Sequence, residues 1–105
     1  MSYDFSMEQE VTKVEEVAEL NYTYNVAPMF IRALGSGGIH KLVGIPHFEA
    51  IQLLTAGIKD MDAHPKSYEE LNPENGWGNF EGARMCLVTI RDWFLKYPDA
   101  TFTIN

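Results

Sequence analysis

Tyr3-Asp4-Phe5-Ser6-Met7-Glu8 alternates large apolar side chains with polar ones, and a period of two is the mark of a strand with one face buried. Ala100-Thr101-Phe102-Thr103-Ile104 answers it near the other end, with apolar residues at alternate positions and β-branched threonines between them. A lone strand leaves its ladder groups unpaired, so pairing these two segments gives each an edge partner and closes the chain on itself. Residues 11–20 are ambiguous. Val11, Val14, Ala18 and Leu20 fit either a strand with a break or one turn of helix.

The middle of the chain has helical periodicity. Val26 to Leu34 reads as a short helix, with Pro28 tolerated in its first turn and Gly35 as a left-handed stop. Gly35-Ser36-Gly37-Gly38 reads as a flexible turn. A second helix is expected from Pro46, with Phe48, Ile51, Leu54, Ile58 and Met61 on one face, ending at His64-Pro65. Lys66 to Leu71 adds a further turn. The strongest signal follows Asn79, a side chain suited to an N-cap. From there Phe80, Ala83, Leu87, Ile90 and Phe94 recur three and four apart as far as Tyr97-Pro98. The expected fold is therefore α+β: about three main helices packed on a small antiparallel sheet formed by the N- and C-terminal strands, one domain over residues 1–105.

A chain of 105 residues supports one modest core, since a domain of this size buries roughly 60 to 70 % of the surface its unfolded chain exposes. No apolar run approaches the roughly 20 residues needed to cross a bilayer, so no membrane partner is expected. The first residues lack the basic and apolar regions of a signal peptide, and the lone Cys86 has no internal disulfide partner. Both features lead us to expect a cytoplasmic, reducing location. The sequon Asn21-Tyr22-Thr23 is then expected to stay unmodified.

The formal charge is −7 and unevenly placed. Residues 1–20 hold Asp4, Glu8, Glu10, Glu15, Glu16 and Glu19 against Lys13 alone, a local balance of −5, leaving −2 for the remainder. A field of that sign repels phosphate, and no cluster of Lys or Arg opposes it, so direct nucleic-acid binding is disfavoured. The stretch reads either as a solvated face or as a docking surface for a basic partner.

Chemistry-bearing residues are sparse. His40, His47 and Glu49 lack the convergent spacing of a zinc site, so neither metal nor cofactor is expected. Cys86 sits beside apolar Leu87 in the last helix and reads as a half-buried packing residue. The glycine-rich turn has no Lys-Ser/Thr pair and reads as a plain connector. Two segments concentrate amides and aromatic rings, each just before an expected helix: Asn21-Tyr22-Thr23-Tyr24-Asn25 and Asn72-Pro73-Glu74-Asn75-Gly76-Trp77-Gly78-Asn79. Structurally, Asn25 and Asn79 suit helix caps, and the glycines around Trp77 permit a tight turn that buries the indole. Functionally, Asn21, Tyr22, Tyr24, Asn25, Asn72, Asn75, Trp77 and Asn79 would form a wall suited to a flat polar ligand or a peptide if the segments met. An alternative is a small enzyme with an acid/base site near Glu74 or Glu81, assisted by Tyr24 or His47.

At the same two segments the chain resembles a family of small proteins encoded by bacteriophages and by bacterial, often actinobacterial, genomes. The shared patterns are Asn-Tyr-Thr-x-Asn-Val-x-Pro-Met, here Asn21 to Met29, and Asn-Pro-x-Asn-Gly-Trp-Gly-x-x-x-Gly, here Asn72 to Gly82. The likeness runs over most of the chain, including Pro98-Asp99-Ala100-Thr101. It carries no activity. It implies a phage or mobile-element setting, in which a small acidic protein acts by analogy as an accessory or counter-defence factor. The expected partner is a host protein or a sequestered small polar ligand.

Overall fold

The computed structural model describes the backbone of residues 2–10 and 14–105. Val11 and the two residues after it, part of the ambiguous stretch, lie outside the described residues. Among the described residues three strands form one antiparallel sheet: β1 (Ser2–Glu10), β2 (Val14–Thr23) and β3 (Thr101–Ile104), in the order β2-β1-β3. The terminal strands pair as their alternation implies, with Phe5 opposite Ile104 and Met7 opposite Phe102. The ambiguous region supplies the third strand, so β1 is central. Its Tyr3, Phe5 and Met7 face Tyr22, Leu20 and Ala18 across the ladder.

Between Met7 and Glu8 the register slips: Met7 opposes Ala18 but Glu8 opposes Glu16, leaving one extra residue in β2. A bulge of this kind resets which face each later side chain occupies. In a regular strand, residues 16 and 19 would point to opposite faces. Here Glu16 lies opposite Glu8 and Glu19 opposite Ser6, all on the outer face.

Among the described residues four α-helices cover the inner face: α1 (Ala27–Leu34), α2 (His47–Ala63), α3 (Pro65–Glu69) and α4 (Phe80–Lys96). Helices α2 and α4 run antiparallel. Asp62 at the end of α2 forms an ion pair with Arg84 near the start of α4, and His47 at the start of α2 meets Phe94 edge-on at 4.8 Å. The whole expected stripe of α4, from Phe80 through Ala83, Leu87 and Ile90 to Phe94, is buried. Aromatic contacts join sheet to helices, with Phe102 packing on Phe5 at 6.1 Å and on Phe94 at 5.5 Å. Gly57 lets α1 and α2 approach: a Cβ there would sit 3.1 Å from the Ala33 carbonyl oxygen.

Three local expectations need correction. Phe48 is 63 % exposed, because α2 buries Ala50, Leu54, Gly57, Ile58 and Met61, and Phe48 lies about 200° around the helix from Ala50. The glycine turn leads into a 3₁₀ turn over Gly38–Leu42 that buries Ile39 and Leu42, so the connector contributes to the core. Cys86 is fully rather than half buried.

Candidate functional site

The Asn-aromatic segments meet at one point. Tyr22, near the end of β2, lays its ring against the first turn of α4, and its hydroxyl accepts a hydrogen bond from the Asn79 backbone N–H at 3.2 Å. Only glycine fits beneath it. A Cβ on Gly82 would overlap the phenol, and one on Gly78 would overlap Thr23 and come within 2.9 Å of Val26. Gly78 also has φ near +90°, a backbone that other residues rarely adopt.

The amides around this junction are engaged within the chain. The Asn79 side chain accepts from the Gly82 N–H at 2.8 Å as the α4 N-cap, and Asn72 Oδ1 accepts from the Phe80 N–H at 2.9 Å. Together they satisfy two of the N–H groups that a helix start leaves unpaired. Asn75 Oδ1 accepts from the Trp77 N–H at 2.9 Å, tightening the preceding turn. Asn25 does not cap α1. Instead its side-chain and backbone N–H groups donate to Thr23 Oγ1, at 2.9 and 3.3 Å, and Thr23 caps the 3₁₀ turn Tyr24–Val26. Asn21 donates to Asp4 Oδ1 at 2.6 Å and to Ser2 Oγ at 3.2 Å.

The aromatic residues divide. Tyr24 packs on Tyr3 at 4.5 Å; burial, and then the neighbouring Tyr24, push the Tyr3 phenol up to about 12. The turn does not bury Trp77, which is 64 % exposed. A hollow of about 230 Å³ beside the junction is lined by Glu69, Asn72, Asn79, Phe80 and Glu81, without Tyr24, Asn25, Asn75 or Trp77. Glu74 and Glu81 are both exposed, while His47 hydrogen-bonds the Tyr97 carbonyl at 3.3 Å.

The outer face of the sheet is different in kind. Asp4, Ser6, Glu16, Glu19, Asn21 and Asn105 line a concavity of about 570 Å³. Ser6 forms its floor, only 3 % exposed and hydrogen-bonded to Thr103 Oγ1 at 2.6 Å. The described residues of β1, β2 and β3 include no Lys or Arg. Glu16 consequently holds its proton above the usual glutamate range: a hydrogen bond to Glu19 favours the protonated form most, followed by desolvation and repulsion from Glu19, Glu8 and Asp4. The bulge makes this meeting of carboxylates. No sequence period announces it.

A third polar cluster was not legible in the sequence. The Tyr68 hydroxyl donates to Asp60, Arg32 lies 3.8 Å from the same carboxylate, and its guanidinium sits 5.1 Å above the Tyr68 ring. Burial, then the bond to Asp60, raise the Tyr68 phenol above its ordinary range. The cluster satisfies a buried phenol where α1, α2 and α3 join. Desolvation pushes the Cys86 thiol up to about 12, so it is not a thiolate at neutral pH. Among the described residues no group of three or more His, Cys, Asp or Glu is placed to hold a metal ion, and no helix is long and apolar enough to cross a membrane.

Comparison with known proteins finds no match among family models, curated proteins or solved structures.

Proposed function

We propose that this chain is a non-catalytic binding protein that docks a basic partner on the acidic outer face of its sheet. The observation that carries this reading is the concavity where Asp4, Glu16 and Glu19 converge without a neighbouring cation on the strands, an arrangement that also pushes the Glu16 carboxyl above its ordinary range. A Lys or Arg brought into that space relieves repulsion already present in the free protein, and complementary charge also accelerates encounter. The resemblance to small phage-encoded proteins makes a host protein the natural partner, with the chain acting as an accessory or counter-defence factor. A small polar ligand in the hollow beside Asn72 and Asn79 is the lesser reading, because both side-chain oxygens already accept from the α4 backbone.

Capture of partners from host lysate with the tagged protein tests the proposal. Retention of a basic protein at low salt, its release at high salt, and its loss on Glu16→Lys with Glu19→Lys are expected. Capture unchanged by those substitutions but abolished by Asn72→Ala would move the site to the α4 entrance.

A further inference from the structure

Resting on that reading, we infer that the partner engages as an extended segment that adds to the free edge of β2, with Lys or Arg at alternate positions. The edge is open because the strand order is β2-β1-β3: among the described residues β2 has β1 on one side and no strand on the other. Its free backbone groups follow from the ladder. Asp4 exchanges both backbone hydrogen bonds with Asn105, Asn105 N–H to Asp4 O at 2.9 Å and Asp4 N–H to Asn105 O at 3.3 Å. Main-chain groups alternate sides along an antiparallel strand, so Asp4 and Ser6 bond towards β3, and Tyr3 and Phe5 bond towards β2. Their partners Tyr22 and Leu20 therefore face β1, which leaves the N–H and C=O groups of Glu19 and Asn21 directed to the open edge.

Those two positions also carry their side chains on the acidic face. In an antiparallel pair, residues directly opposite one another share a face, so the residues of an added strand opposite Glu19 and Asn21 project over the concavity lined by Asp4, Glu16 and Glu19. Cationic side chains are selected there. The intervening residues of the added strand fall beside half-buried Leu20 and Tyr22, where apolar or β-branched side chains fit. The recognised segment thus alternates basic and apolar residues, its backbone supplying affinity and its basic positions supplying selectivity.

A second copy of the chain is the wrong occupant. Antiparallel pairing of β2 with itself would place Glu16 and Glu19 of the two copies on one shared face, and like charges opposed across a ladder destabilise it. Carboxylates on an edge strand discourage self-pairing while leaving the ladder open to a strand of opposite charge.

The test uses the full chain and an end-blocked peptide, Val-Lys-Val-Lys-Thr-Lys-Thr, beside the same peptide N-methylated at alternate residues, which keeps its charge but removes ladder donors. Expected are slowed exchange at the Glu19 and Asn21 amides on addition of the parent peptide, binding that weakens with salt, loss on Glu19→Lys, and about tenfold or greater weakening on N-methylation. Equal binding of both peptides without amide protection overturns strand addition and leaves the acidic-face reading standing. No binding of either peptide to a natively folded chain overturns strand addition and counts against the acidic face as well. Protection of Glu19 and Asn21 in the protein alone, with a dimer in sedimentation, assigns the edge to a second copy and overturns the proposal.

Discussion

The α4 entrance and the outer face of the sheet are both rich in polar side chains, but they differ in where that polarity is satisfied. Around α4, Asn72, Asn75 and Asn79 each accept a hydrogen bond from a nearby backbone N–H, and the Tyr22 hydroxyl accepts from another. On the sheet, Asp4 accepts from Asn21, but Asp4, Glu16 and Glu19 share one face without a cation on the strands, and their repulsion contributes to the raised pKa of Glu16. The first region holds the chain together and the second repels itself. Density of polar residues thus does not separate the two regions; charge left without a counter-ion by the fold does.

Substitutions that open the core both regions stand on should have the largest effect. Leu87→Ala in α4 removes a fully buried side chain, and Phe5→Ala removes the ring between Tyr3 and Phe102. Each is expected to cost about 2 to 5 kcal/mol in urea unfolding. A cost below about 1 kcal/mol at either position would mean the core does not couple helix to sheet as described.

The junction should come next. Gly82→Ala drives a methyl into the Tyr22 phenol, and overpacking of this kind costs about 1 to 3 kcal/mol. Tyr22→Ala should recover much of the loss in the double variant, since it removes the obstructing ring at the expense of the ring's own packing. Simple addition of the two losses would show that they do not share a contact. By contrast Glu19→Ala, on the exposed face, should leave stability within about 0.5 kcal/mol of the parent chain. That contrast sets polarity built into the helix junction against polarity on the exposed sheet face in one assay.

Asn79→Ala should cost about 0.5 to 2 kcal/mol through loss of the α4 cap, and Asn25→Ala less, because Thr23 rather than Asn25 caps the turn there. In the lysate capture, both variants should retain partners in proportion to folded protein. Reduced capture at unchanged stability would return the site to the asparagines.

The cap at Asn79 was legible because the signal is local: a short amide followed at once by apolar residues three and four apart. Strands β1 and β3 were legible for the same reason, each showing its period within five or six residues. Strand β2 was not, because the bulge opposite Met7 and Glu8 breaks its alternation midway. The same bulge hid the meeting of Glu16 and Glu19, whose spacing of three assigns them to opposite faces of any regular strand. The expected burial of Trp77 failed because glycines that permit a turn do not decide which way the indole leaves it. Arg32, Asp60 and Tyr68 come from three helices, and no spacing along the chain forecasts their contact.

The smallest expected effect is also the most direct probe of the acidic face. Folding raises the pKa of Glu16, so the folded chain holds this proton at pH values where the unfolded chain has released it. Between the unfolded value, about 4.3, and the raised folded one, stability falls as pH rises, and above that window it levels off. Asp62 acts in the opposite sense: its hydrogen bond to Arg84 lowers its pKa, a contribution present above the unfolded value and lost as pH falls. Glu16→Gln isolates the first effect. Its thermal midpoint should gain slightly on the parent as pH rises from 4 to 7, and added salt should narrow the gap by screening the remaining carboxylates. A cation seated among Asp4, Glu16 and Glu19 would pull the Glu16 pKa back down, so binding of the lysine peptide should release protons and strengthen through the same window. If Glu16→Gln shifts neither the pH dependence of stability nor that of peptide binding, Glu16 and Glu19 do not interact, and the acidic face loses the feature that separates it from an ordinary solvated surface.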